Sequence, residues 1–182
     1  MIPYPEGKRG AFTREGLSLE VVNILVIEDN DQDFYCVQRL LDTVMPWACR
    51  IQRAKSVSDA EKIMDKATDN GIHVILLDLD LPDSLCPQDT YSCISHYHER
   101  CPIIVLTGEN DYNLALNMLG SGAQDFLAKD LIILKPELFR RVIEFSIERH
   151  HSLRSDRDEI EKELEQKSNL LHLMTGAYSV SH

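Results

Sequence analysis

The sequence is short of basic residues. Its 182 residues include 19 lysines and arginines against 30 aspartates and glutamates, which gives a formal net charge of -11. Binding to nucleic-acid phosphates needs a basic surface that this composition does not supply, so we predict no direct nucleic-acid binding by this chain. The excess of acid favours cations or other proteins as partners.

Paired cysteines are also lacking. The five cysteines are an odd number and include no C-x-x-C spacing, so they indicate neither a disulfide framework nor a thiolate metal site. On a single helix, Cys93, His96, His98 and Cys101 would not share one face in a tetrahedral arrangement. This cysteine usage favours a reducing, cytoplasmic environment.

Long apolar runs are absent as well. No stretch approaches the roughly 18 apolar residues of a membrane span, and no apolar core follows the first basic residues. We therefore predict neither a membrane span nor a secretion signal, and no internal repeat is visible. Residues 1–20 combine prolines, glycines and charges without periodicity, which predicts a flexible tail.

The most informative stretch is an apolar run, 74–77, that ends in Asp78 and continues into Asp80 and Pro82. A run of aliphatics with these bounds is typical of a strand buried in a parallel sheet. Its terminal carboxylate would lie at the sheet edge where open α/β folds bind ligands. Asp78 is therefore the first candidate for chemistry, although a single acid at a strand end is more often a cap or turn residue.

Further apolar runs alternate with helical patterns along the chain. We predict strands at 23–27, 49–54, 73–77, 102–107 and 124–128, and helices at 31–44, from Ser58 to Asn70-Gly71, at 88–99, from Asp111 and from Pro136. Strands that alternate with helices in this way predict a five-stranded parallel sheet wound with helices on both faces.

Such a sheet would gather polar side chains from the strand ends at one edge: Glu28, Asp29, Asp78, Thr107 and Lys129. Carboxylates brought close together raise one another's pKa unless a hard cation lies among them, and Mg2+ accepts such oxygen ligands. With a lysine and a hydroxyl nearby, the set favours phosphoryl transfer onto Asp78 to form an acyl phosphate.

Four segments in this order resemble the receiver domain of two-component response regulators: ILVIEDN (24–30), VILLDLDLPD (74–83), IIVLTG (103–108) and GAQDFLAK (122–129). The resemblance implies a flavodoxin-like fold, a doubly wound five-stranded parallel sheet in the order 2-1-3-4-5. We assign residues 21–150 to this receiver domain. Its cofactor would be Mg2+, and its donor a sensor histidine kinase or phosphotransfer protein.

The resemblance also implies roles for the acids. Asp78 would accept the phosphoryl group, Asp29 would bind Mg2+ directly, and Glu28 would bind it mainly through water. The backbone carbonyl of Asp80 would complete the protein ligands. No enzymatic activity beyond self-phosphorylation and self-dephosphorylation is implied.

Three further residues receive roles from the resemblance. Thr107 would contact the phosphoryl group and move inward on activation, and Lys129 would pair with that group. Phe126 would act as an aromatic switch. Taken alone, Phe126 is more readily explained as a core residue and Thr107 as a turn residue, so both roles depend on the resemblance.

Two other functions remain open. One is a receiver-like module that binds partners without being phosphorylated. The other is a phosphatase of the haloacid-dehalogenase type, in which Asp78 would be the nucleophile and Asp80 the general acid and base. That family places an acidic pair after its lysine, whereas here Glu28 and Asp29 come first.

Residues 151–182 form a predicted extension and tail. The segment 148–173 contains no proline or glycine and is rich in mixed charge, so it should continue the last helix. A near-heptad seam runs through it, comprising Leu153, Ile160, Leu164, Leu171 and Met174 and interrupted by Arg157 and Lys167. Both a solvated helix and a parallel coiled coil in a homodimer fit this pattern. Whether an output domain follows in the full-length protein stays open.

Overall fold

The computed structural model of the protein describes residues 21–67, 71–108, 120 and 123–176, with side chains as far as 171. The chain divides into two compact units, Met1–Glu148 and Arg149–His182. The predicted N-terminal tail and the helix predicted from Asp111 lie outside the described residues.

The first unit is built on five strands: β1 (Val21–Ile27), β2 (Ala48–Ala54), β3 (Val74–Asp78), β4 (Ile103–Thr107) and β5 (Asp125–Ala128). All four pairings between them are parallel, and the order is β2-β1-β3-β4-β5. The predicted flavodoxin-like sheet is therefore confirmed. Each residue of β3 is buried, as expected of a central strand covered on both faces.

The helices are α1 (Asp31–Val44), α2 (Val57–Lys66), α3 (Pro87–Ser95), α4 (Lys129–Leu134) and α5 (Pro136–Gly176), with a 3-10 helix at His96–Glu99. The short helix α4 was not predicted from the sequence. Its apolar run carries no clear helical period, and Pro136 occupies the first position of the next helix, so the two helical segments cannot merge.

Helix α2 differs from its predicted bounds, Ser58 to Asn70-Gly71. It spans Val57–Lys66, and Ser56 is the N-cap that accepts a hydrogen bond from the backbone N–H three residues later, at 3.1 Å. The carboxylate of Asp83 accepts hydrogen bonds from the first two helical amides, each at 3.0 Å. The N-terminus is thus set partly by a contact from a distant loop, which the local pattern does not reveal.

Side chains of β1 alternate between two cores, one on each face of the sheet. Leu25 and Ile27 belong to the core that α2 and α3 cover. Ile24 and Val26 belong to the other core, which α1 and the first turns of α5 cover. Apolar side chains therefore cover both faces of β1.

The second unit consists of the continuation of α5, so the predicted helical extension is confirmed. Four of its seam residues are 58–62% exposed: Leu153, Ile160, Leu164 and Leu171. Their pairing with a second chain stays a prediction. Within the described ranges, no helix combines the length and the apolar character that a bilayer span requires.

Candidate functional site

The register of the sheet places two acids side by side. Ile27 of β1 pairs with Leu77 of β3, so Glu28 and Asp78 lie next to each other at the carboxyl ends of neighbouring strands. The Glu28 amide still donates to the strand β2, 2.9 Å from the carbonyl oxygen of Ala54. This last hydrogen bond between the two strands holds the backbone of Glu28 in the sheet.

Asp29 completes a cluster of three carboxylates. The candidate ligand oxygens of Glu28, Asp29 and Asp78 all lie within 4.8 Å of one another. Glu28 is only 1% exposed and Asp78 only 4%, whereas Asp29 is more open to solvent. Oxygen atoms of this kind, in a site open on one side, suit a hard cation such as Mg2+ that retains several waters.

Burial affects the pKa of both inner acids. It raises the pKa of Glu28 from 4.5 to about 6, with a further contribution from neighbouring Asp78, although Lys129 acts in the opposite direction. Burial likewise raises the pKa of Asp78, Lys129 again opposes this, and the nearby charge of Asp80 adds to it. The cluster is therefore a site where added positive charge is favourable.

Lys129 supplies part of that charge. Its Nζ lies 2.7 Å from Glu28 Oε2, 2.9 Å from Asp33 Oδ2 and 3.1 Å from Asp78 Oδ1. Burial alone would lower the pKa of this lysine, but the surrounding carboxylates outweigh it and raise the pKa above its ordinary value. Lys129 is consequently an ammonium group directed at the side chain of Asp78.

Sequence reasoning missed Asp33 as part of the site. It lies in the first turn of α1, whose N-cap Asn30 accepts hydrogen bonds from the amides of Gln32 and Asp33 at 2.8 and 3.2 Å. That cap fixes the start of the helix, and in its first turn the Asp33 carboxylate accepts a hydrogen bond from Lys129 at 2.9 Å. The only sequence signal for this role was a further acid, Asp33, shortly after the acidic pair that ends β1.

The remaining candidates occupy separate positions around the cluster. Thr107 is buried at the end of β4 and pairs with Ala128, the residue before Lys129. Phe126 is partly buried and packs against the core beneath α2 and α3. The exposed side chain of Asp80 lines an open groove of about 330 Å³ beside Asp29, which the loop to α3 completes.

The sequence profile of the response regulator receiver domain matches residues 24–142. A swarming motility regulation protein, RssB from Serratia marcescens, is 35% identical over 121 residues, which are 66% of this chain and 51% of that protein. The chain thus spans about half the length of this relative. With the strand order and the acidic strand ends described above, the match shows that the chain belongs to the response regulator receiver family.

Solved structures agree on the fold. A receiver domain from Clostridium thermocellum matches with a TM-score of 0.61 at 24% identity, over 72% of this chain and 98% of that one. The signal receiver domain of a putative Luxo repressor protein from Vibrio parahaemolyticus matches with a TM-score of 0.59 at 21% identity, over 77% and 97%. At these identities the likeness extends to the fold alone.

Proposed function

We propose that this chain is a phosphorylation-dependent signalling receiver that accepts a phosphoryl group on Asp78. The donor would be a phosphohistidine of a sensor histidine kinase or phosphotransfer protein. The observation that carries the proposal is the setting of Asp78: a buried carboxylate at a strand end, 3.1 Å from an ammonium and clustered with two further acids.

The proposed transfer uses groups already in place. A carboxylate oxygen of Asp78 forms a bond to phosphorus, the P–N bond of the phosphoimidazole breaks, and its electron pair stays on the imidazole nitrogen, which takes up a proton. Lys129 faces Asp78 and would pair with an oxygen of the incoming group. The hydroxyl of Thr107, at the neighbouring strand end, would donate a hydrogen bond to another oxygen of the phosphoryl group.

Glu28, Asp29 and Asp78, with the backbone carbonyl of Asp80, would hold Mg2+. Bound there, the ion would neutralise negative charge on the carboxylates and on the phosphoryl oxygens. The donor set fits this ion, because it offers three carboxylates in one cluster with a partly open side. The chain would act only on itself, gaining the group and losing it by hydrolysis.

Phosphorylation would be transmitted through Thr107 and Phe126 and would alter contacts with partners. We propose a homodimer in which the C-terminal helices run parallel, since the seam from Leu153 to Leu171 is exposed in the single chain. None of the five cysteines forms a disulfide, which fits the cytoplasmic location expected for this signalling. With a formal net charge of -11, the chain is not proposed to bind nucleic acid directly.

The direct test is intact-mass measurement after incubation with acetyl phosphate or a phosphorylated histidine kinase, with Mg2+. Wild type should gain one phosphoryl group, and Asp78→Asn should gain none. Asp80→Asn is the matched control: it lies two residues away with an exposed side chain, and it should still be labelled.

Three results would contradict parts of this proposal. Equal labelling of Asp78→Asn would move the nucleophile elsewhere. No labelling of wild type by either donor would favour the phosphorylation-independent module. Sustained turnover of para-nitrophenyl phosphate that depends on both Asp78 and Asp80 would instead support the phosphatase.

The dimer has its own test by sedimentation. Beryllium fluoride, a phosphoryl mimic, should tighten the dimer, and truncation after Arg149 should weaken it. A monomer at high micromolar concentration with and without the mimic would leave the extension as a solvated helix.

A further inference from the structure

Arg53, the next-to-last residue of β2, reaches the segment that carries the acidic pair. Its Nε donates to the Glu28 carbonyl at 2.9 Å, and its Nη2 donates to the Asp29 carbonyl at 2.8 Å. Nη1 lies 2.6 Å from Asp31 Oδ1, and the guanidinium carbon lies 4.5 Å from the centre of the Phe34 ring. The planar guanidinium is thus held by contacts in several directions.

The two carbonyls belong to successive peptide groups on either side of the Asp29 Cα. Fixing both peptide planes fixes φ and ψ of Asp29, and therefore the direction in which its side chain leaves the backbone. Neighbouring contacts complete the restraint: the Glu28 amide donates to Ala54, and the Asn30 amide donates to Glu28 Oε1 at 3.2 Å. Arg53 holds the Asp29 backbone without itself belonging to the acid cluster.

We propose that Arg53 is a positioning residue that orients Asp29 and thereby sets the affinity of the acid cluster for Mg2+. The inference rests on the proposed function, because it takes the cluster to be a Mg2+ site. The direction in which removing Arg53 changes the Mg2+ affinity distinguishes positioning from charge. Through charge alone, a nearby guanidinium repels a cation, so removing it would strengthen Mg2+ binding. Through positioning, removing it weakens Mg2+ binding.

Lys55 provides a matched control. It carries the same charge two residues later, and its Nζ lies 2.8 Å from the same Asp31 oxygen that Arg53 contacts. Among the described residues, Lys55 donates a hydrogen bond to the side chain of Asp31. Arg53, in contrast, donates two of its hydrogen bonds to backbone carbonyls of the acidic segment. Replacing Lys55 therefore removes a charge near the site while the hold on Asp29 remains.

The experiment compares Mg2+ affinities of the full chain by calorimetry for wild type, Arg53→Lys, Arg53→Gln and Lys55→Gln. Arg53→Lys keeps the charge but loses the planar fork, since one ammonium cannot reproduce two parallel N–H donors. We expect Kd to rise at least threefold in both Arg53 variants and to stay unchanged or fall in Lys55→Gln.

A metal-free measurement checks the positioning directly. In EDTA, amide hydrogen exchange at Asn30 should be slow in wild type and in Lys55→Gln, and faster in both Arg53 variants, because its bond to Glu28 depends on an ordered segment. This readout needs no phosphorylation and no bound ion.

Several outcomes would overturn the inference. Wild-type Mg2+ affinity in Arg53→Lys would do so, as would tighter binding in Arg53→Gln, which charge alone explains. If the neutral variant fails to fold, Arg53→Lys still decides, and rapid exchange at Asn30 in wild type would show that the segment is not held. Failure of wild type to bind Mg2+ is a different result, which removes the proposed metal site itself.

Discussion

Two lysine–glutamate pairs in this chain show how differently the same residue types behave. Lys129 Nζ lies 2.7 Å from Glu28, and their side chains are 17% and 1% exposed. Lys167 Nζ lies 3.5 Å from Glu163 in the C-terminal helix, and their side chains are 72% and 63% exposed. One pair is packed between strand ends, and the other is surrounded by water.

The difference follows from desolvation. A buried ion has lost its water and depends on its protein partners, so removing one partner costs far more than the pair is worth at a surface. Exposed pairs are screened and contribute about 0.2 to 1 kcal/mol at most. The strand-end charges therefore depend strongly on their partners, whereas the exposed pair in the extension contributes little to helix stability.

The largest effect should come from removing the buried cation. Lys129→Met leaves Glu28 and Asp78 without the ammonium that faces them, so at neutral pH in EDTA the free energy of unfolding should fall by about 3 kcal/mol. Mg2+ should restore part of this loss, and its affinity should stay intact or increase because a nearby positive charge is gone. Urea unfolding with and without Mg2+ measures both effects.

Lys167→Met is the matched control for that experiment. Its change should stay below about 0.5 kcal/mol and should not depend on Mg2+. If the two substitutions proved equally costly, burial would not distinguish the two pairs as described.

The next effect concerns pH. The pKa of Glu28 is raised from 4.5 to about 6, so the folded protein holds this proton more tightly than the unfolded chain does. The resulting stability is fully present below pH 4.5 and is lost as the pH rises through about 6. That difference in pKa corresponds to about 2 kcal/mol.

Glu28→Gln cannot titrate at this position. Its stability relative to wild type should therefore increase by about 2 kcal/mol between pH 4.5 and neutrality, measured by chemical unfolding in EDTA. Glu163→Gln, from the exposed pair, is the control and should change the free energy of unfolding by less than about 0.5 kcal/mol, because exposed ion pairs contribute little. A constant difference between Glu28→Gln and wild type would show that Glu28 is not desolvated in the folded protein.

The third effect concerns a carboxylate that is exposed but still hydrogen-bonded to the backbone. The exposed carboxylate of Asp83 accepts hydrogen bonds from the amides of Val57 and Ser58 at the start of α2. Asp83→Ala removes this cap and should cost about 1 kcal/mol in thermal or chemical unfolding. Asp83→Asn keeps one acceptor oxygen and should lose less. Equal losses in the two variants would show that the carboxylate's second oxygen, or its charge, is the essential feature.

Much of the fold could be predicted because its signals are local. Apolar runs such as β3 are continuous in the sequence, and the acids that end them are adjacent residues. Parallel pairing then brings separate strand ends together by geometry alone, which is why Glu28, Asp78 and Lys129 could be expected at one edge. The helix caps that depend only on nearby residues, such as Asn30, were within reach for the same reason.

What the sequence did not reveal depends on distant partners. Asp33 contacts Lys129 across 96 positions, and Arg53 reaches the acidic segment across about 25. Asp83 caps α2 across a similar separation, and that helix begins at Val57 rather than at the predicted Ser58. Such contacts depend on side-chain directions in the assembled sheet, and no spacing rule encodes them.

The smallest effect should be the coupling between Glu163 and Lys167. The two residues are spaced i, i+4 with the glutamate first, which is the favourable order relative to the helix dipole. A double-mutant cycle with alanine, read from the thermal loss of helicity, should give a coupling near 0.3 kcal/mol that declines at high salt.

Lys167 also interrupts the apolar seam, so the cycle should be run at several protein concentrations. If Lys167→Ala stabilises the helix as concentration rises, the residue opposes pairing between chains. A coupling above about 1 kcal/mol that resists salt would mean that the pair is buried in an assembly, and the contrast with Lys129 would then hold only for the single chain.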